Sequence, residues 1–66
     1  MKTITYVNDV TKIDITLTDP RFAEFDGFPC LVGRDASGKE KWLEIYSQDE
    51  FNQGLDSGVI YAPIRA

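Results

Sequence analysis

Between Thr11 and Thr18 the chain alternates cleanly: Ile13, Ile15 and Leu17 fall on one side, Lys12, Asp14, Thr16 and Thr18 on the other. A period of two with one apolar side predicts a strand that faces water on its second face. Lys2–Val7 alternates Ile4 and Tyr6 with Thr3, Thr5 and Val7, a strand-forming composition, and Asn8-Asp9 after it tolerates the positive φ of a tight hairpin turn. Asp19-Pro20 then reads as a break. Asp caps helices and Pro favours their first position, so Pro20–Phe25 is expected as one or two helical turns with Phe22 and Phe25 on one face and Gly27 as the stop. A structured loop over the core is the alternative there. Phe28–Arg34 is apolar on both sides, as an inner strand is, with Pro29 near its start. Asp35-Ala36-Ser37-Gly38 is turn chemistry, and Glu40–Tyr46 completes a hairpin with Leu43 and Ile45 on one face and Trp42, Glu44 and Tyr46 on the other. Ser47 and Glu50 have capping-box spacing, and Phe51 and Leu55 give the helix that follows one apolar side. Gly54 weakens that helix and Gly58 ends it; Val59–Ala62 reads as a last strand before Pro63.

The element order is therefore β-β-(short α)-β-β-α-β. It predicts an α+β fold, a small antiparallel sheet of about five strands with one or two short helices on one face. The alternative is a closed five-stranded barrel, because a short helix just before the final strand resembles the layout of SH3-like barrels. Phe28, Leu31, Val32, Trp42, Leu43, Ile45, Tyr46, Phe51 and Leu55 are the expected centre of the core. With 66 residues the chain is one domain, residues 1–66. A domain of this size buries only about 60% of its unfolded surface, so a second subunit is a simple way to enlarge the core.

Composition narrows the chemistry. The chain has no histidine and a single cysteine, Cys30, inside an apolar run. It therefore offers no zinc set and no ordinary general base at neutral pH, and Cys30 reads as an inert core thiol in a reducing compartment. The N-terminal residues 1–5 lack the apolar core of a signal peptide and no run reaches membrane-spanning length, so a cytoplasmic location is expected. Gly33 to Lys39 reproduces P-loop spacing, but Glu40 stands where Ser or Thr would hold magnesium and a strand follows where a helix belongs. The twelve residues from Asp35 fail as a calcium loop, with Lys39 fifth and Tyr46 last. Asp49/Glu50 and Glu24/Asp26 are acidic pairs, yet the first belongs to a helix's opening turn, where negative charge already suits the dipole. No catalytic, metal or cofactor residue is assigned, and the chain reads as a non-enzyme.

Charge placement is the remaining signal. Eleven acidic and seven basic side chains give a formal net charge of −4, which disfavours direct binding to nucleic acid. Glu44, Asp49, Glu50 and Asp56 lie between Trp42 and Ile64 without a basic residue, interleaved with the aromatics Trp42, Tyr46 and Tyr61. Asp14, Asp19, Glu24 and Asp26, relieved only by Arg21, make a second acidic stretch. Aromatic rings beside carboxylates supply buried area and steering at a protein interface. The bland alternative has Trp42 and Tyr46 filling the second sheet face beneath a helix. The expected role is a protein-interaction module, an inhibitor or regulator that occupies a basic, nucleic-acid-binding surface of a partner protein. In length, acidity and compactness the chain resembles small phage- or plasmid-encoded antagonists of host defence, anti-CRISPR proteins among them. A structural or accessory subunit, pairing through Ile4, Val59 or Tyr61 on terminal strands, is the alternative.

Overall fold

The computed structural model describes residues 2–63. Five strands and one helix follow in the order β1 (Thr3–Asn8), β2 (Ile13–Phe25), β3 (Phe28–Arg34), β4 (Glu40–Glu44), α1 (Gln48–Ser57) and β5 (Val59–Tyr61). The strands form one sheet, ordered β4-β3-β2-β1-β5. Neighbours from β4 to β1 are antiparallel, whereas β5 lies parallel to β1, pairing Thr5 with Val59 and Val7 with Tyr61. This is a small α+β fold with a mixed sheet, where a purely antiparallel one was expected. The parallel pair follows from α1, which carries the chain from β4 across the sheet to its far edge.

The largest departure from the sequence reading is at Pro20–Phe25, which is strand throughout. Asp19 takes a left-handed conformation (φ 51°), and the β2–β3 register shifts between Thr18 and Arg21. One extra residue on β2 is absorbed there as a bulge, a site where Pro20, lacking an N–H, breaks no ladder bond. The bulge also changes which parity faces inward. Leu17 is fully buried before it and Phe22 packs on the core after it, although five positions separate them. Phe22 and Phe25, expected on one helical face, therefore point to opposite faces of a strand. Asp26 (φ 56°) and Gly27 (φ 83°) form the two-residue turn into β3, both with positive φ.

The other turns differ less. The β1–β2 connection is a four-residue loop, where Asn8-Asp9 alone was expected to turn the chain. The Asn8 side chain accepts from the N–H groups of Val10 and Thr11 at 3.0 and 3.1 Å, and the Lys12 N–H donates to the Asn8 carbonyl at 2.8 Å. At the β3–β4 turn, Asp35 Oδ1 accepts from the Ser37 hydroxyl and from the N–H groups of Ser37 and Lys39, while Gly38 takes φ 85°. The Ser37 hydroxyl above all, and then the backbone donors and Lys41, hold the Asp35 carboxyl below its ordinary value. Ser47 caps α1 by accepting from the Glu50 N–H at 3.2 Å, and Gly58 (φ 84°) closes it.

Ile4, Tyr6, Leu17, Leu31, Ile45, Phe51 and Ile60 form the core between α1 and one face of the sheet. That sheet is strongly coiled. Across three strand spacings a flat sheet would hold β1 and β4 about 14 Å apart. Here the Tyr6 hydroxyl on β1 donates to the Glu44 carbonyl on β4 at 2.7 Å. The curl stops short of a barrel, since β4 and β5 are edges that do not pair with each other. Burial foremost, and then the neighbouring Glu44 and Cys30, pushes the Tyr6 phenol above its ordinary value of 10. Only the neutral phenol donates, so the contribution of Tyr6 is whole below pH 10 and fades as pH rises through the raised folded value. Tyr6→Phe is expected to cost about 1–2 kcal/mol at neutral pH, with a smaller loss on going from pH 9 to 11 than the parent shows. Urea midpoints at the two pH values check both.

Candidate functional site

The sheet has a second face, and among the described residues no helix covers it. Alternation puts Phe28, Cys30, Val32 and Arg34 of β3 on this open face, beside Arg21, Ala23 and Phe25 of β2 and Glu40, Trp42 and Glu44 of β4. At the corner near the β2–β3 turn, Phe25, Phe28, Cys30, Trp42 and Glu44 line a hollow of about 570 Å³. Its rings are largely exposed: Phe25 by 66%, Phe28 by 51% and Trp42 by 49%. Phe25 and Trp42 meet edge to face, centroids 6.2 Å apart and planes at 71°. Cys30 is buried in the floor, its thiol donating to the Phe28 carbonyl at 3.6 Å.

The Trp42 ring is held from its polar end. Its Nε1–H donates to Glu40 Oε1 at 3.0 Å, and the same oxygen accepts from Arg21 Nη2 at 2.8 Å. Both partners are about half exposed, so the ion pair adds little stability. Its effect is orientation: a cross-strand brace that holds the indole through Glu40.

The acidic residues expected to act together are divided by the fold. Glu44 lines the hollow on the open face, whereas Asp49, Glu50 and Asp56 belong to α1 on the covered side. Asp49 and Asp56 are exposed and lie seven positions apart, about two turns, so they share a stripe roughly 10 Å long. Glu50 flanks them, half-buried, and the last turn of α1 carries no basic residue. The other stretch does not form a patch. Asp14 is on the open face beside Val7, Asp19 sits in the bulge, Glu24 is on the face of Phe22, and Asp26 is in the turn. Arg21 pairs with Glu40 and Lys41 with Asp35.

The aromatics divide as well. Trp42 shares a face with Glu44, as expected, and stays open to solvent where the bland alternative put it under a helix. Tyr46 follows the end of β4 and is 54% exposed. Tyr61 lies on β5, at the opposite edge of the sheet from β4. Sequence reasoning missed Phe25 and Phe28 as surface groups. The signal that finds them is Asp26-Gly27, a strong two-residue hairpin turn. A smaller hollow of about 400 Å³ lies over Asp14, Ile15, Thr16, Asp35, Ala36 and Ser37.

Among the described residues no group of His, Cys, Asp or Glu is gathered to hold a metal ion, and no helix is long and apolar enough to cross a membrane. No family model, curated protein or solved structure matches the chain.

Proposed function

We propose that the chain is a small protein-interaction module, not an enzyme, that acts in the cytoplasm by occupying a basic, nucleic-acid-binding surface of a partner protein. One observation carries most of the weight: an open sheet face where Phe25, Phe28 and Trp42 are exposed around a hollow that also holds a carboxylate. Leaving rings in water costs stability that a small domain can ill spare, so their exposure has a use when a partner covers them. The formal charge of −4 and the acidic stripe of α1 select a basic partner and steer it in. An inhibitor that presents carboxylates where phosphates would sit is the sharpest form of this function.

Capture from lysate at low salt, eluted by a salt gradient, identifies the partner, and competition with that partner's nucleic acid gives the test. The chain and the nucleic acid are expected to exclude one another, with affinity falling roughly tenfold or more between low and moderate salt. A partner that holds both together, or an affinity indifferent to salt, overturns the proposal. The assembly alternative keeps only part of its support. Ile4 is fully buried on a strand paired on both sides and offers no edge, while Val59 and Tyr61 do lie on one. Sedimentation over a concentration range separates the two readings.

A further inference from the structure

We infer that the outer edge of β4 pairs with an extended segment of the partner protein, which joins the sheet as an antiparallel strand. This inference rests on the protein-partner function above and names how the partner is held. Among the described residues, β4 is the last strand on its side of the sheet. Hydrogen-bonded pairs alternate along an antiparallel ladder. On β4 the odd positions bond toward β3: the Ile45 N–H donates to the Pro29 carbonyl at 3.1 Å, and the Lys39 carbonyl accepts from the Asp35 N–H at 2.9 Å. The N–H and C=O groups of Glu40 and Trp42 therefore point away from the sheet. Charged side chains commonly guard such an edge, but here they are turned back. Glu40 reaches over β3 to Arg21, and Lys41 leans toward Asp35 in the turn at 3.9 Å.

The opposite edge is blunted. On β5 the groups of Gly58, Ile60 and Ala62 face β1, as the bonds from the Thr5 N–H to the Gly58 carbonyl and from the Ala62 N–H to the Val7 carbonyl show. Val59 and Tyr61 are left facing outward. The Ser57 hydroxyl accepts from the Val59 N–H at 3.3 Å and donates to the Val59 carbonyl at 3.2 Å, and Pro63 stands two residues beyond Tyr61. An added strand is thus directed to β4.

The two sides of β4 select what that strand carries. Opposite residues of an antiparallel pair share a face, so the residue facing Trp42 lies on the open face, its Cβ within about 5 Å. An apolar side chain there extends the wall of the hollow that Phe25, Phe28 and Trp42 line. Its neighbours in sequence fall on the covered side, where α1 opens with Asp49 and Glu50 soon after β4 ends. Basic residues complement that side. A second copy of this chain is a poor occupant, because two copies at a formal −4 repel one another. The segment that fits alternates apolar and basic residues.

Trp42 is the only tryptophan in the chain, so its fluorescence reports occupancy of β4. The full chain is titrated with an end-blocked heptapeptide, Lys-Val-Lys-Val-Lys-Val-Lys, and with two versions N-methylated at all three valines or at three of the lysines. With valines beside Trp42, the valine N–H groups are those that meet β4. Methylating them should weaken binding more than about tenfold, whereas methylating the lysines should change it less than about twofold. A peptide with Glu in place of each Lys should bind at least roughly tenfold more weakly. At saturation, amide exchange at Glu40 and Trp42 should slow about tenfold while that at Val59 and Tyr61 stays unchanged. Equal binding of the two methylated peptides, no slowing at Glu40 and Trp42, or equal binding of the Glu peptide each overturns the inference. So does sedimentation showing that the chain alone pairs through β4. If the chain displaces nucleic acid from its captured partner while Glu40 and Trp42 gain no protection, the inference alone fails. If β4 takes the Lys/Val peptide but no nucleic acid is displaced, the proposed function alone fails.

Discussion

Phe51→Ala is expected to remove about 3–5 kcal/mol of stability, enough to leave this domain largely unfolded. A chain of 66 residues has roughly 3–10 kcal/mol in total at 0.05–0.15 kcal/mol per residue. Phe51 is the one large side chain of α1 buried in the core, and its ring meets Phe22 at 5.9 Å. Phe22 is itself only half-buried, so its own cover goes when the Phe51 ring is lost. The helix has little else to hold it. It is ten residues long, too short for independent stability, and Leu55 is its other large apolar side chain against the core. A urea titration followed by circular dichroism should show the midpoint falling by roughly 2–3 M, or no cooperative transition at all. A change below about 1 kcal/mol would mean that α1 is not anchored through this ring.

Gly54→Val is the second large effect, and its sign opposes what helix propensity suggests. Glycine inside a helix costs about 1 kcal/mol relative to alanine, so replacing it looks favourable on paper. Here a Cβ at position 54 would stand 2.6 Å from Ile60 Cδ1 and closer still to Ile60 Cγ1. Ile60 is itself fully buried in the core. The helix lies so close to β5 that only a hydrogen fits. Valine adds two further methyl groups, so a net loss of about 2–3 kcal/mol is expected, at the upper end of ordinary overpacking. Gly54→Ala should also lose stability, by less, because the propensity gain offsets part of the crowding. An alanine variant more stable than the parent would show that α1 can slide away from β5 at little cost.

Much of the framework was legible from local chemistry. The alternation of Ile13, Ile15 and Leu17, the Asp35–Gly38 turn, the Ser47 cap and the Gly58 stop each reflect short-range rules, and the structure contains all of them. Pro20–Phe25 was misjudged because Asp-Pro starts a helix and enters a bulge with equal ease, and only pairing to β3 decides between them. That pairing is a tertiary fact. The error mattered for the candidate site, since a helix puts Phe22 and Phe25 on one face and a strand puts them on two. The grouping of acids failed for a related reason. Neighbours in sequence such as Glu44 and Asp49 end up on opposite sides of a sheet once the chain turns into α1. From the sequence Gly54 is only a weak point in a helix, because nothing local announces that Ile60 presses against it.

The seam between β1 and β5 has a kinetic consequence. Residues near position 5 pair with residues near position 60, and the three parallel rungs there close a loop of more than fifty residues. The four antiparallel strands need only short hairpin closures, so they are expected to assemble first, with α1 and β5 docking late. Native-state hydrogen exchange should then find the Val59–Tyr61 amides opening at lower free energy than those of β2 and β3. The part of the molecule last to arrive is also the first to leave, and each departure uncovers Ile60 and bares the edge of β1.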